Sequence, residues 1–246
     1  MRIALLTDIH ANIEALDACI AAAEAAHVDA WVCLGDLVGY GPDPTAVIER
    51  IVGLRARGAV VIQGNHDEAA AAETAAMSEK ARLAIDWTRA RLSADERRFL
   101  RELPLEARDQ DRLYVHASAN DPAEWHYVDA PSTAGASLAA TDARFTFCGH
   151  THLPALYHAL PGRAPTYFRP LADKPVPLSR LRRHVVVVGS VGQPRDRDPR
   201  ACWGLFDTAD SSIAMRRVPY DVDETMRKIK AAGLPEWLAD RLAMGR

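Results

Sequence analysis

The side chains able to do chemistry stand in short polar clusters: Asp8-Ile9-His10, Gly35-Asp36, Gly64-Asn65-His66-Asp67, a single His116, and Gly149-His150-Thr151-His152. Five of the chain's nine histidines fall in them, which packing alone does not explain. Imidazole, carboxylate and amide oxygen without thiolate suit divalent cations of intermediate hardness, Mn, Fe, Zn, Co or Ni, and suit Ca or Cu(I) poorly. The alternation in Asp8-x-His10 and His150-x-His152 lets a chain leaving a strand aim two donors into one space. The glycines beside them permit close backbone approach or positive φ. The expectation is a site for two metal ions.

Each cluster follows a short apolar run. Ile3 to Leu6 leads into Asp8, and Asn12 to His27 then carries Ile13, Leu16, Cys19 and Ile20 at helical spacing. Ala30 to Leu34 leads into Asp36, and a helix over Pro44 to Arg57 follows, with Asp43 as N-cap and Pro44 first. Ala59 to Gln63 leads into the Asn65 cluster. Strands alternating with helices predict an α/β protein with a sheet covered on both faces. In such sheets ligands bind outside the carboxyl ends of the strands, so residues spread from 8 to 152 can converge. Residues 68–103 read as a helical excursion in which Ser93-Ala94-Asp95-Glu96 fits a capping box. Further strands are expected at Leu113–Val115, Arg144–Cys148, Val185–Val188, Gly204–Asp207 and Ile213–Val218, with a loop or edge hairpin over Pro161–Arg183. Residues 222–245 read as terminal helices broken near Gly233-Leu234-Pro235. No repeat or low-complexity linker divides the chain, so residues 1–246 read as one domain.

With 30 basic and 33 acidic side chains among 246 residues, the net charge of −3 argues against non-specific nucleic-acid binding. Cys19, Cys33, Cys148 and Cys202 form no CxxC pair, so neither a disulfide framework nor a thiolate zinc site is expected; Cys148 reads as core. No apolar run approaches the roughly 18 residues of a membrane span. Thr7-Asp8 interrupts the apolar start too early for a signal peptide, so a cytoplasmic protein is expected. Trp237, Leu238 and Leu242 could cover a homo-oligomer interface or the chain's own core.

The ordered blocks DxH, GD, GNH(D/E), H and GHxH resemble the calcineurin-like metallophosphoesterase superfamily. The segments from Gly35 to Pro44 and from Gly189 to Arg195 resemble its small prokaryotic branch of YfcE-like phosphodiesterases. The resemblance implies an αββα four-layer sandwich, two central sheets flanked by helices. It implies that Asp8, His10 and His152 hold one divalent cation, that Asn65, His116 and His150 hold a second, and that Asp36 bridges both. A water shared by the two cations would attack phosphorus, and His66 would protonate the leaving oxygen. The implied substrate is a small phosphodiester or phosphomonoester. A dinucleoside polyphosphate is the competing substrate, and a protein-binding scaffold on this fold is the non-enzymatic alternative. Serine/threonine phosphatases of the superfamily carry GDxVDRG and an Arg before GNHE; here Gly39, Tyr40 and Gln63 stand there, so His66 lacks its usual acidic partner. Arg195 and Tyr40 are candidate substrate contacts, each set against a plainer role as solvated or packing residue. Asn12 either touches phosphate or, the favoured reading, caps the first helix. Among the remaining histidines His126 is the one marked for testing. Specificity is expected from the loops at 37–45, 68–103, 120–135 and 192–200.

Overall fold

The computed structural model describes residues 1–72 and 79–246, without the Lys80 side chain, so part of the expected excursion at 68–103 lies outside the described residues. In chain order the elements are β1 (Arg2–Leu6), α1 (Ile13–Ala25), β2 (Ala30–Cys33), α2 (Pro44–Ala56), β3 (Val60–Val61), α3 (Asn65–Ala71), α4 (Glu79–Arg89) and α5 (Ala94–Arg101). There follow β4 (Glu106–Asp109), β5 (Arg112–Val115), α6 (Pro131–Ala139), β6 (Phe145–Cys148), β7 (Ala155–Ala159), β8 (Thr166–Phe168) and β9 (Val176–Pro177). The chain closes with β10 (Arg183–Val187), β11 (Ala201–Asp207), β12 (Ser212–Val218), α7 (Val222–Ala231) and α8 (Glu236–Met244).

The strands form two six-stranded mixed sheets, ordered β3-β2-β1-β11-β12-β9 and β4-β5-β6-β10-β7-β8. Alternation along β1 shows how they stack. Ile3 and Leu5 pack with Tyr114, Phe147, Val186 and Val188 between the sheets. Ala4 and Leu6, on the opposite face, pack with Leu16, Cys19, Val47 and Ile51 of α1 and α2. On the second sheet Leu113, Val115, Val185 and Val187 face Ala134 and Leu138 of α6. A strand residue's neighbours point to opposite faces, so one apolar run feeds two cores at once. The layers are therefore helix, sheet, sheet, helix, the αββα sandwich of the expected α/β class.

The capping box forms as expected: Ser93 Oγ accepts from the Glu96 amide at 3.2 Å, and Glu96 Oε2 from the Ser93 amide at 2.6 Å. Asp43 stands at the N-cap of α2 but makes no cap bond. Its carboxylate instead takes Lys228 Nζ of α7 at 3.0 Å. The terminal helices cover the chain's own core, with Leu238 and Leu242 packed on Ala84 and Ile229. Within Pro161–Arg183 short edge strands form, β8 on β7 and β9 on β12. All four cysteines are buried and free. Among the described residues no helix is long and apolar enough to cross a membrane.

Candidate metal centre

Five strand ends deliver the polar clusters to one place. Asp8 and His10 follow β1, Asp36 follows β2, and Asn65 and His66 form the first turn of α3 after β3. The second sheet supplies His116 after β5, and His150 and His152 after β6. Donor atoms of Asp8, His10, Asp36 and His152 lie within 4.8 Å of one another, as do those of Asp36, His116 and His150, so the two clusters share Asp36. All six side chains are buried. Asp36 Oδ2 lies 3.6 Å from His10 Nε2 and 3.4 Å from His116 Nε2, while its Oδ1 accepts the His66 amide at 2.8 Å.

Three ring orientations are fixed by backbone carbonyls. His10 Nδ1 meets Val38 O at 3.2 Å, His116 Nδ1 meets Leu34 O at 2.8 Å, and His152 Nδ1 meets Gln193 O at 2.7 Å. A carbonyl can only accept, so each Nδ1 carries the proton and each Nε2 presents a lone pair when the ring is neutral. His10 Nε2 and His152 Nε2 then face each other at 3.1 Å, and His116 Nε2 faces His150 Nδ1 at 3.1 Å. Asn65 Oδ1 is buried with no hydrogen-bond partner. Opposed lone pairs, adjacent buried carboxylates and an orphaned amide oxygen are the chemistry of cation ligands with carbonyl support behind them. The donor set fits divalent metal ions.

Local backbone explains why the sequence turns inward here. Asp8, His10, Asp36, His150 and His152 all adopt φ between 50° and 66°. Non-glycine residues rarely occupy that left-handed region, at a cost of about 1–3 kcal/mol each, and such strain collects where geometry is constrained by function. Neighbouring glycines let the loops close. A Cβ on Gly64 would overlap Asp36, and one on Gly39 would overlap His66 Nδ1. Asp67 clamps the two loops together, accepting from Leu37 N at 2.8 Å, Val38 N at 3.2 Å and Gly64 N at 3.0 Å.

Burial dominates the electrostatics. It holds His10 and His152 well below the ordinary imidazole range and pulls His66 down to about 4. Burial, then the neighbouring His116, takes His150 to about 3. Burial also pushes Asp8 up to about 6, with His116 opposing and Asp36 assisting. Against the same desolvation, His116 is pushed up to about 9 by Asp36, and Asp36 is held well below the carboxylate range by His116 and His66. His10, His150 and His152 are thus neutral at neutral pH and available as donors.

The weaker candidates separate. Tyr40 packs against the site, its ring centroid 4.7 Å from His10 and 4.4 Å from His66. The Arg195 guanidinium lies 6.0 Å from the Tyr40 centroid, and its backbone amide donates to His152 O at 3.3 Å. Asn12 takes the favoured role of capping α1. Its Oδ1 accepts the Ala15 amide at 3.1 Å and its Nδ2 donates to Gly192 O at 2.9 Å, so capping and cross-linking use both polar atoms. His126 is exposed and outside both clusters, whereas its neighbours touch them: Tyr127 stacks on His150 at 4.2 Å and Trp125 meets His116 edge-on at 5.8 Å. The expected loop at 120–135 pointed to this region without singling out either aromatic. His66 Nδ1 is buried without a partner against Gly39, so no described residue replaces the missing acidic partner.

With this geometry in place, residues 1–211 match the family model for the calcineurin-like phosphoesterase superfamily domain. The chain belongs to that superfamily. The uncharacterized protein MJ0912 of Methanocaldococcus jannaschii is 32% identical over 250 residues, covering 99% of this chain and 98% of that protein. A metallophosphoesterase from Sphaerobacter thermophilus has a crystal structure that superposes with a TM-score of 0.87 at 35% identity, covering 100% of this chain and 99% of the other. The hypothetical protein PH1004 of Pyrococcus horikoshii shares the fold, with a TM-score of 0.81 at 22% identity over 100% and 98% of the two chains. The folds of the two solved structures match this one over its whole length.

Proposed function

We propose that the protein is a dinuclear-metal-dependent hydrolase of small phosphate esters. The observation that supports this reading best is the pair of buried donor clusters meeting at Asp36. Asp8, His10 and His152 would hold one divalent ion, Asn65, His116 and His150 a second, and Asp36 both. When bound, such ions lower the pKa of water from ~15.7 toward ~7 and neutralise charge on phosphate oxygens.

The chain's own groups would do the rest. Val38, Leu34 and Gln193 carbonyls keep the ring lone pairs aimed inward, so no donor must reorganise as charge develops. His66 Nδ1 is sealed against Gly39, leaving Nε2 to hold the proton passed to the departing oxygen. Tyr127 and Trp125 flank His150 and His116 and would help orient those two rings.

The reading is tested by reconstituting the chain separately with Mn, Co, Ni, Zn or Fe and assaying aryl phosphate mono- and diesters beside His66→Ala. Both proteins are expected to bind two equivalents of metal, and the variant to lose about 10²–10⁴-fold in turnover. Stoichiometric metal without turnover of any ester by the wild type would reject the proposal.

A further inference from the structure

Beside the metal clusters stands a pair of guanidinium groups with an unusual arrangement. Arg195, in the loop after β10, and Arg241, on α8, donate to the same Gln193 Oε1, at 2.9 Å and 3.0 Å. Arg241 Nε also donates to Arg246 O at 2.5 Å, but among the described residues neither arginine pairs with an Asp or Glu side chain, whereas nearby Arg217 pairs with Asp196 and Arg200 with Asp198. A neutral amide oxygen satisfies hydrogen bonds but leaves both charges standing, and like charges so close repel. Arg195 Nε is in addition buried with no partner. Burial, and after it the neighbouring Arg195, pull Arg241 down to about 10.

The pair is built into the wall of the site. Gln193 is buried, and its own carbonyl fixes His152, while Arg195 lies over the Tyr40 ring that packs on His10 and His66. Arg195 also lines a cleft of about 630 Å³ together with Leu153 and Pro154, with Arg169 and Arg197, and with Asp196 and Asp198, which pair with Arg217 and Arg200. Charge then decides what fits. Resting on the function proposed above, two dications less Asp8 and Asp36 leave about +2, and the two guanidiniums raise this to about +4. A phosphomonoester dianion would neutralise about half of it.

We propose that Arg195 and Arg241, joined by Gln193, bind a second phosphate of the substrate, so that the preferred substrate is a phosphate ester bearing another phosphate beyond the one cleaved. Guanidinium forks match phosphate oxygens by charge-assisted, bidentate hydrogen bonds. Arg195 and Gln193 lie within residues 1–211, the part matched by the superfamily domain, and Arg241 lies beyond it on α8.

Calorimetric titration of the manganese-reconstituted full chain with ethanediol, propanediol and butanediol bisphosphates, against the matching monoalkyl phosphates, tests the proposal. The wild type is expected to bind at least one bisphosphate about tenfold or more tighter than its monophosphate. In Arg241→Gln, and independently in Gln193→Glu, that ratio should fall to about one. Gln193→Glu keeps both arginines and gives them an internal carboxylate, so its effect does not depend on lost packing. A wild type with no bisphosphate preference overturns the proposal, as does equal weakening of both ligands in the variants, which would assign the arginines to the cleaved phosphate. Aryl ester turnover is measured on the same wild-type preparation. Bisphosphate preference without turnover would reject hydrolysis and leave the anion site, and turnover without preference would reject only the second-phosphate site.

Discussion

Asp36 carries more of the site than any other side chain. Its Oδ1 ties the first turn of α3, and its Oδ2 stands between His10 and His116, one from each cluster. Asp36→Asn keeps the shape but replaces an oxygen with a donor nitrogen and removes a buried charge. Metal content is expected to fall from two equivalents to one or fewer, with turnover down at least about 10²-fold, as elemental analysis and aryl ester assays would show. A variant that retained two ions and full activity would remove Asp36 from the bridging position. The residues that meet here were legible because the blocks occur as an ordered set: Asp8-x-His10 alone could be a turn with an N-cap, whereas Gly64-Asn65-His66-Asp67 and Gly149-His150-Thr151-His152 following it are rare together. Arg241 was not. It sits on an amphipathic helix like many surface arginines, and only its bond to Gln193, some fifty residues away, sets it apart. Asp67 stood in the Gly64-Asn65-His66-Asp67 block, but its role as a clamp on the backbone amides of Leu37, Val38 and Gly64 was not legible there.

The elements were readable where pattern was strong. Strands β1, β2, β5, β6 and β10–β12 come from short, largely apolar runs, and the break between α7 and α8 from Gly233-Leu234-Pro235. Helix α6 was not, because Pro131-Ser132-Thr133-Ala134-Gly135-Ala136-Ser137-Leu138-Ala139 offers almost no large apolar residue to set a period. Its packing against β10 makes it a helix, not its propensity. β7, close behind the His152 loop, is a strand beyond those expected. The elements also differ in what they support. Leu238 of α8 is fully buried in the cluster that backs Tyr40, so Leu238→Ala should cost about 2–4 kcal/mol in urea unfolding. Through Tyr40 it should also weaken the packing beside His10. Ser93→Ala removes one cap bond from α5 and should cost only about 1 kcal/mol, with turnover unchanged. A larger loss for Ser93 than for Leu238 would mean that α5, rather than α8, braces the site.

At the scale of the molecule, the proposed ions would sit where the two sheets converge. The first sheet supplies Asp8, His10, Asp36 and Asn65, and the second supplies His116, His150 and His152, so each cluster draws donors from both sheets. Direct ties between the sheets there include the His150 amide to Asp8 at 3.0 Å, His116 Nδ1 to Leu34 O at 2.8 Å and, from the segment after β10, Ser190 Oγ to Asp8 O at 2.8 Å. Bound cations would therefore fasten the layers as well as serve chemistry, and without them Asp8 and Asp36 repel at close quarters, as the upward push of Asp36 on Asp8 indicates. Ligand linkage gives each ion about 2.7 kcal/mol of stabilisation at a free concentration one hundred times its Kd. For a chain of this length each kcal/mol moves Tm by about 2–4 °C, so chelation should lower the melting temperature by roughly 10–20 °C, reversibly on adding manganese. Calorimetry reads that shift, and hydrogen exchange reads where it acts: protection should fall together at the carboxyl ends of β1 and β6, one strand from each sheet. A melting temperature indifferent to chelator, or loss of protection confined to one sheet, would show that the apolar layer between the sheets holds them together unaided. The two clusters would then have no fastening role.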